Sequence, residues 1–156
     1  MAMCFETCSE ADTLAFGRAL GAQLRPGDTL LLSGELGAGK SVLARGAARA
    51  LGVEGPMPSP SFTIMLSYSG RVRVHHFDLY RLGDAEEFYA AGLDEWFGGE
   101  DVCLVEWPEM AQADFAPCVR ATLSRAQQGG DRRTITLETD GVCVDAAALE
   151  RWRKRD

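Results

Sequence analysis

The sequence predicts an α/β fold, and three observations carry the prediction. A short apolar run, TLLLS at 29–33, leads directly into a glycine-rich stretch, GELGAGKS at 34–41. A helical pattern, VLARGAARAL at 42–51, follows at once. A second apolar run, DVCLV at 101–105, likewise reads as a strand buried on both faces. With 156 residues and no repeat, low-complexity tract or linker, one domain over 1–156 is expected.

Taken in chain order, the first element is a helix over 9–24, SEADTLAFGRALGAQL. Leu14, Ala15, Leu20 and Leu24 recur at near-helical spacing, Ser9 suits the N-cap, and Glu10 and Asp12 suit the first turn. RPGD at 25–28 is a turn that delivers the strand at 29–33. After the glycine loop, the helix over 42–51 is closed by Gly52. GPMPSP at 55–60 holds three prolines, which excludes regular structure. Residues 62–68 and 71–77 read as strands joined at Ser69-Gly70 in a hairpin. DAEEFYAA at 84–91 is a helix with an acidic start, and the strand at 101–105 ends in Glu106-Trp107-Pro108. Residues 119–124 and 133–139 suit an antiparallel pair, and 145–155 a last helix capped by Asp145.

Composition narrows the function classes. Apolar residues make up 46% of the chain and charged residues 25%, an ordinary soluble profile. No stretch approaches the roughly 20 apolar residues that span a bilayer, and MAMCFETCSEAD lacks a signal-peptide pattern. No membrane association and a cytoplasmic location are therefore expected. Five cysteines, an odd number without a CxxC pair, argue against a disulfide framework or a thiolate zinc site. A net charge of -7 excludes a generic nucleic-acid binder, whose surface would be basic. The cationic tail RWRKRD at 151–156 is the exception, suited to a solvated helix end or to an RNA or partner contact.

GELGAGKS fits G-x-x-x-x-G-K-[ST], with Gly34, Gly39, Lys40 and Ser41 at the fixed positions. Glycines let the backbone wrap a polyphosphate with its N–H groups turned inward. Gly37, Ala38 and Gly39 are candidate phosphate-binding positions, Gly37 adding a place free of a side chain. Lys40 would reach the β- and γ-phosphates, and the Ser41 hydroxyl would ligate Mg²⁺. The helix that follows sets its positive end behind the phosphates. Only Lys40 and Lys154 among sixteen basic residues are lysine, so this lysine stands out in an arginine-rich chain.

Two acids sit where strands should end: Asp78 after RVRVHHF and Glu106 after DVCLV. Strands of open α/β sheets present their carboxyl ends to the ligand crevice, which makes both candidates for the metal or the attacking group. The alternatives are a turn cap for Asp78 and a surface arginine partner for Glu106. His75 and His76 are the only histidines, too few for a metal site, and each suits a packed or surface imidazole better than a catalytic base. Arg81 could neutralise phosphate or pair with Asp84, and Trp107 could stack on a base or pack beside the sheet. SPSFT at 59–63 lies where nucleotide switches offer a hydroxyl, making Ser61 and Thr63 candidates; the alternative is a plain surface loop.

GELGAGKS, SPSFT, HFDLYRL and LVEWPE, in this order and spacing, resemble the TsaE (formerly YjeE) family over about residues 10–109. The resemblance implies a small P-loop NTPase-like α/β fold with a mixed, mainly parallel central sheet flanked by helices. It implies ATP binding with Mg²⁺ and weak hydrolysis by the isolated chain. It further implies association with a TsaB–TsaD heterodimer that attaches threonylcarbamoyl to the tRNA adenosine beside the anticodon. The ATPase would support or reset that complex, and tRNA would be reached indirectly through it.

By position, the resemblance implies catalytic roles for Lys40, Asp78 and Glu106. Lys40 would hold phosphates, Ser41 and Glu106 would ligate Mg²⁺, and Asp78 would act at the γ-phosphate or its water. SPSFT with Thr63 would be the switch-like loop, Trp107 matches the family tryptophan after the acid, and Glu10 and Thr13 match the stretch against adenine. Two positions depart: Val42 stands where a second threonine is frequent, and Ser61 where threonine is commoner. The segment beyond 115 matches too loosely for assignment, although Arg133 could contact nucleotide. A stand-alone small-molecule or nucleotide kinase is the alternative, but no arginine-rich lid segment lies between the acids. A guanine-specific GTPase needs N-K-x-D, and the sequence contains no asparagine.

Overall fold

TLLLS lacks polar alternation because neither face of that strand meets water. The computed structural model describes residues 2–126 and 130–155. In it, Thr29–Ser33 (β2) is the middle strand of a seven-stranded sheet, with Leu30 and Leu32 in one core and Leu31 in another. The remaining strands are Met3–Thr7 (β1), Met65–Ser69 (β3), Arg73–Asp78 (β4), Val102–Glu106 (β5), Cys118–Arg125 (β6) and Arg133–Asp140 (β7). Helices are Glu10–Gly21 (α1), Lys40–Ala50 (α2) and Ala85–Ala90 (α3).

The sheet order is β1-β7-β6-β2-β5-β4-β3. Its centre is parallel, β2 pairing with both β5 and β6, and β5 with β4. Antiparallel partners finish both margins: β7 and β1 beyond β6, and β3 beyond β4. This is the mixed, mainly parallel α/β sheet expected. One face is covered by α1 and α2, whose Phe16, Leu20, Leu43 and Ala47 pack with Phe5 and Trp152. The other is closed by aromatic side chains: Phe97 stacks on Phe77 at 4.8 Å and meets Phe115 at 5.0 Å.

Helices α1 and α2 touch backbone to backbone. A β-carbon on Gly46 would run into the Leu14 carbonyl, and one on Gly17 into the Leu43 carbonyl, so both positions need glycine. Ser9 caps α1 as expected, accepting from the Asp12 N–H at 3.0 Å.

Several boundaries differ from the sequence expectation. α1 stops at Gly21 rather than Leu24, whose N–H folds back onto the Gly21 carbonyl. α2 begins at Lys40 because Gly39, with φ at 106°, is its N-cap. The hairpin forms, but its first strand starts only at Met65, because residues 61–63 make a turn in which the N–H groups of Thr63 and Ile64 both donate to the Pro60 carbonyl. Strand β1 was not foreseen. The last helix, expected over 145–155, is a 3-10 segment, Ala146–Trp152, capped by Asp145. The free edge of β1 ends it, since Arg153 bridges Phe5 and the Lys154 N–H donates to the Cys4 carbonyl at 3.0 Å. Among the described residues, no helix is long and apolar enough to cross a membrane.

Candidate functional site

Beyond the carboxyl ends of β2, β4 and β5 lies a cavity of about 290 Å³, where open α/β sheets hold their ligands. Its size is close to the lower bound of the ~300–1,000 Å³ of small-molecule sites. The glycine loop forms one wall. Gly34, Gly37 and Gly39 have φ values of 147°, 79° and 106°, a backbone path that side chains oppose.

Gly37, Gly39, Lys40 and Ser41 line the cavity. Ala38 is fully buried, with its side chain in the helical core, so only its backbone belongs to the loop. Lys40 is 5% exposed. Its ammonium donates to the carbonyls of Gly34 at 2.6 Å and Glu35 at 2.9 Å, and sits 4.2 Å over the Trp107 ring. Burial lowers its pKa, and the negative charges of Glu106, Glu109 and Asp78 oppose but do not cancel that shift.

Across the cavity the Ser41 hydroxyl donates to the Glu106 carboxylate, at 3.0 Å from one oxygen and 3.1 Å from the other. Glu106 is 3% exposed and also accepts from His76 Nε2 at 2.6 Å. An ionised carboxylate only accepts, so Nε2 carries the imidazole proton in this pair. The second ring nitrogen, Nδ1, is buried and has no partner among the described residues. Asp78 and Glu106 are direct register partners on β4 and β5, which brings both acids to one end of the sheet.

Asp78 is held by the chain's own donors. One oxygen accepts from the Tyr80 N–H at 3.0 Å, the other from the Ser61 hydroxyl at 3.2 Å. Ser61 in turn lies 2.7 Å from the Ser59 hydroxyl. Both serines line the cavity; Thr63 is exposed and lies outside the lining, because the turn at 61–63 carries it away. Trp107 has a left-handed backbone, with φ at 58°, and its indole lines the cavity and packs on Tyr80 at 4.8 Å. Arg81 does not pair with Asp84 among the described residues; its guanidinium stacks on exposed Phe62 at 4.3 Å, and it is not part of the cavity lining. Glu10 and Thr13, from the start of α1, close the far wall, and the Thr13 hydroxyl is 2.7 Å from that of Thr7.

Sequence reasoning missed Ser59, Asp131 and the role of His76; Ser59 and Asp131 line the cavity, as does Arg133, named from sequence as a possible nucleotide contact. For His76 a signal existed: two residues before Asp78 on a strand, it shares that acid's face. Among the described residues no three His, Cys, Asp or Glu side chains are grouped to hold a metal ion alone. Ser41 and Glu106 nevertheless place hard oxygen donors in contact. That set fits Mg²⁺, which takes few protein oxygens and completes its shell with water and phosphate.

Residues 7–135 match the family model described as Threonylcarbamoyl adenosine biosynthesis protein TsaE. The chain is similar to the tRNA threonylcarbamoyladenosine biosynthesis protein TsaE of Bacillus subtilis, 38% identical over 138 residues, covering 88% of this chain and 85% of the relative. The protein of the same name from Treponema pallidum is 35% identical over 129 residues, covering 83% of this chain and 95% of the relative. The crystal structure of Bacillus subtilis YdiB matches with a TM-score of 0.74 at 33% identity, covering 89% of this chain and 86% of that one.

Proposed function

The chain belongs to the TsaE family of threonylcarbamoyl adenosine biosynthesis proteins, and on that premise we propose that it is a Mg²⁺-dependent ATPase serving tRNA modification. It acts on a TsaB–TsaD heterodimer, supporting or resetting that complex between turnovers, and reaches tRNA through it. One observation carries the reading: a glycine loop ending in Lys40-Ser41, with Ser41 hydrogen-bonded at 3.0 Å to the strand-end acid Glu106. A phosphate cradle and a hard-oxygen pair are thereby brought together.

In this mechanism Lys40 exchanges the Gly34 and Glu35 carbonyls for phosphate oxygens. Ser41 and Glu106 would hold Mg²⁺, with His76 fixing the far side of the carboxylate. The cation, when bound, neutralises phosphate charge as the bond to the leaving group breaks. Asp78 orients the attacking water, for which Ser61 and the Tyr80 N–H must share or release its oxygens. That competition supports weak turnover by the isolated chain and gives the partner complex a step to accelerate. The net charge of -7 supports the indirect tRNA contact.

Binding of Mg·ATP to the wild-type chain and to Lys40→Ala tests the reading by calorimetry. The variant should bind at least about 100-fold more weakly. ATP turnover by the wild type should rise when TsaB and TsaD are added. Undiminished binding by Lys40→Ala, or fast phosphorylation of a small metabolite by the isolated chain, would sink it.

A further inference from the structure

Three cations divide the carbonyls of the glycine loop. Lys40 takes those of Gly34 and Glu35 from within. Arg133, the first residue of β7, takes those of Gly37 and Ala38 from the opposite side. Its Nε donates to the Ala38 carbonyl at 3.0 Å, and its Nη2 to the Gly37 carbonyl at 3.3 Å. Its Nη1 donates to the carbonyls of Gly130 at 2.9 Å and Arg132 at 3.0 Å. Arg125, its register partner on β6, adds a 3.4 Å contact to the Gly37 carbonyl. Every nitrogen of the Arg133 guanidinium is thus committed to backbone oxygen.

A peptide unit is planar, so its carbonyl and the following N–H point in opposite directions. Holding the Gly37 and Ala38 carbonyls toward β7 aims the N–H groups of Ala38 and Gly39 away from it. That inner side is where a cradle offers its donors to phosphate. The Ala38 N–H shows the direction, turning onto the Glu35 carbonyl at 3.0 Å. A guanidinium suits this work because its planar fork holds two acceptors in fixed relation, which an ammonium does not.

We propose that Arg133 is a positioning residue for the phosphate cradle, acting on the nucleotide through the Gly37 and Ala38 carbonyls and touching no phosphate. The proposal rests on the ATP-binding reading above and deepens it. It also joins the C-terminal hairpin to the loop, so the last third of the chain has a part in the site.

The test compares the wild type with Arg133→Lys and Arg133→Gln by two measurements. The first is hydrogen exchange without added nucleotide at the Ala38 and Leu43 amides, which donate to Glu35 and Gly39. The second is the Kd for Mg·ATP and for Mg·ADP. Both variants should exchange those amides several-fold faster while the β6 and β7 amides keep their protection. Both should also bind ATP and ADP about tenfold more weakly, by one common factor. The common factor follows because a cradle serves the phosphates that both nucleotides share. Arg133→Lys keeps charge and aliphatic stem, so a folded variant is available. Unchanged exchange, full rescue by lysine, or a loss confined to ATP overturns the proposal, the last by placing the guanidinium on the γ-phosphate. If the wild type binds neither nucleotide, the ATP-binding reading falls, and the exchange measurement alone still decides whether Arg133 orders the loop.

Discussion

Glu106 lies between two donors, the Ser41 hydroxyl at 3.0 Å and His76 Nε2 at 2.6 Å, and almost no water reaches it. A buried carboxylate is tolerated when it is hydrogen-bonded and penalised when one partner is removed. His76→Leu should therefore cost about 1–3 kcal/mol in thermal unfolding and raise the Mg²⁺ concentration for half-maximal ATP binding several-fold. His76→Gln, whose amide offers a donor from a similar reach, should recover part of both effects. Mg²⁺ dependence identical to wild type in His76→Leu would remove the imidazole from this role. At this scale the loop, Ser41 and both acids were legible, the first two because they follow a fixed glycine-lysine spacing and the acids because each follows a strand pattern. Ser59 and Thr63 were not: which hydroxyl faces the cavity depends on the turn at 61–63, set by hydrogen bonds to the Pro60 carbonyl.

The contact of α1 with α2 holds the loop's helix against the sheet through glycine. Gly46→Ala would gain helix propensity of about 1 kcal/mol in an exposed helix. Here the added methyl meets the Leu14 carbonyl and the Arg18 amide of α1, backbone atoms that have no rotamer to change. Overpacking outweighs propensity, and the variant should lose about 1–3 kcal/mol, read as a lower Tm. A higher Tm would show that the helices separate at little cost. Elements made by local pattern, such as α1 with its Ser9 cap and β2, were readable from sequence. β1 was not, because Met3–Thr7 becomes a strand only by pairing with β7, far along the chain. The same edge explains the 3-10 ending: it captures residues 153 and 154 before another helical turn can form.

Across the whole molecule, Asp12 ties the two ends of the chain together. Its carboxylate accepts from Trp152 Nε1 at 2.8 Å and from the Cys8 N–H at 3.0 Å. Burial pushes the Asp12 carboxyl up, but those hydrogen bonds and nearby Arg151 outweigh it, and its pKa falls below the ordinary 3.8. A depressed carboxylate contributes stability that is present above its unfolded pKa and lost as pH falls through the folded one. Acidification from about pH 4 downward should thus loosen the Ala146–Trp152 segment, followed by its amide exchange. Asp12→Asn should lack that component, and an identical acid transition in both proteins would count against the link. The scarcity of lysine has a chemical consequence at the same scale. The chain carries two side-chain amines: Lys154 lies exposed on the tail, and Lys40 sits under an indole with its proton affinity lowered. Acylating reagents thus meet a solvated amine at one end and a shielded one inside the loop, so the covalent labelling pattern itself becomes a gauge of who holds that loop's carbonyls.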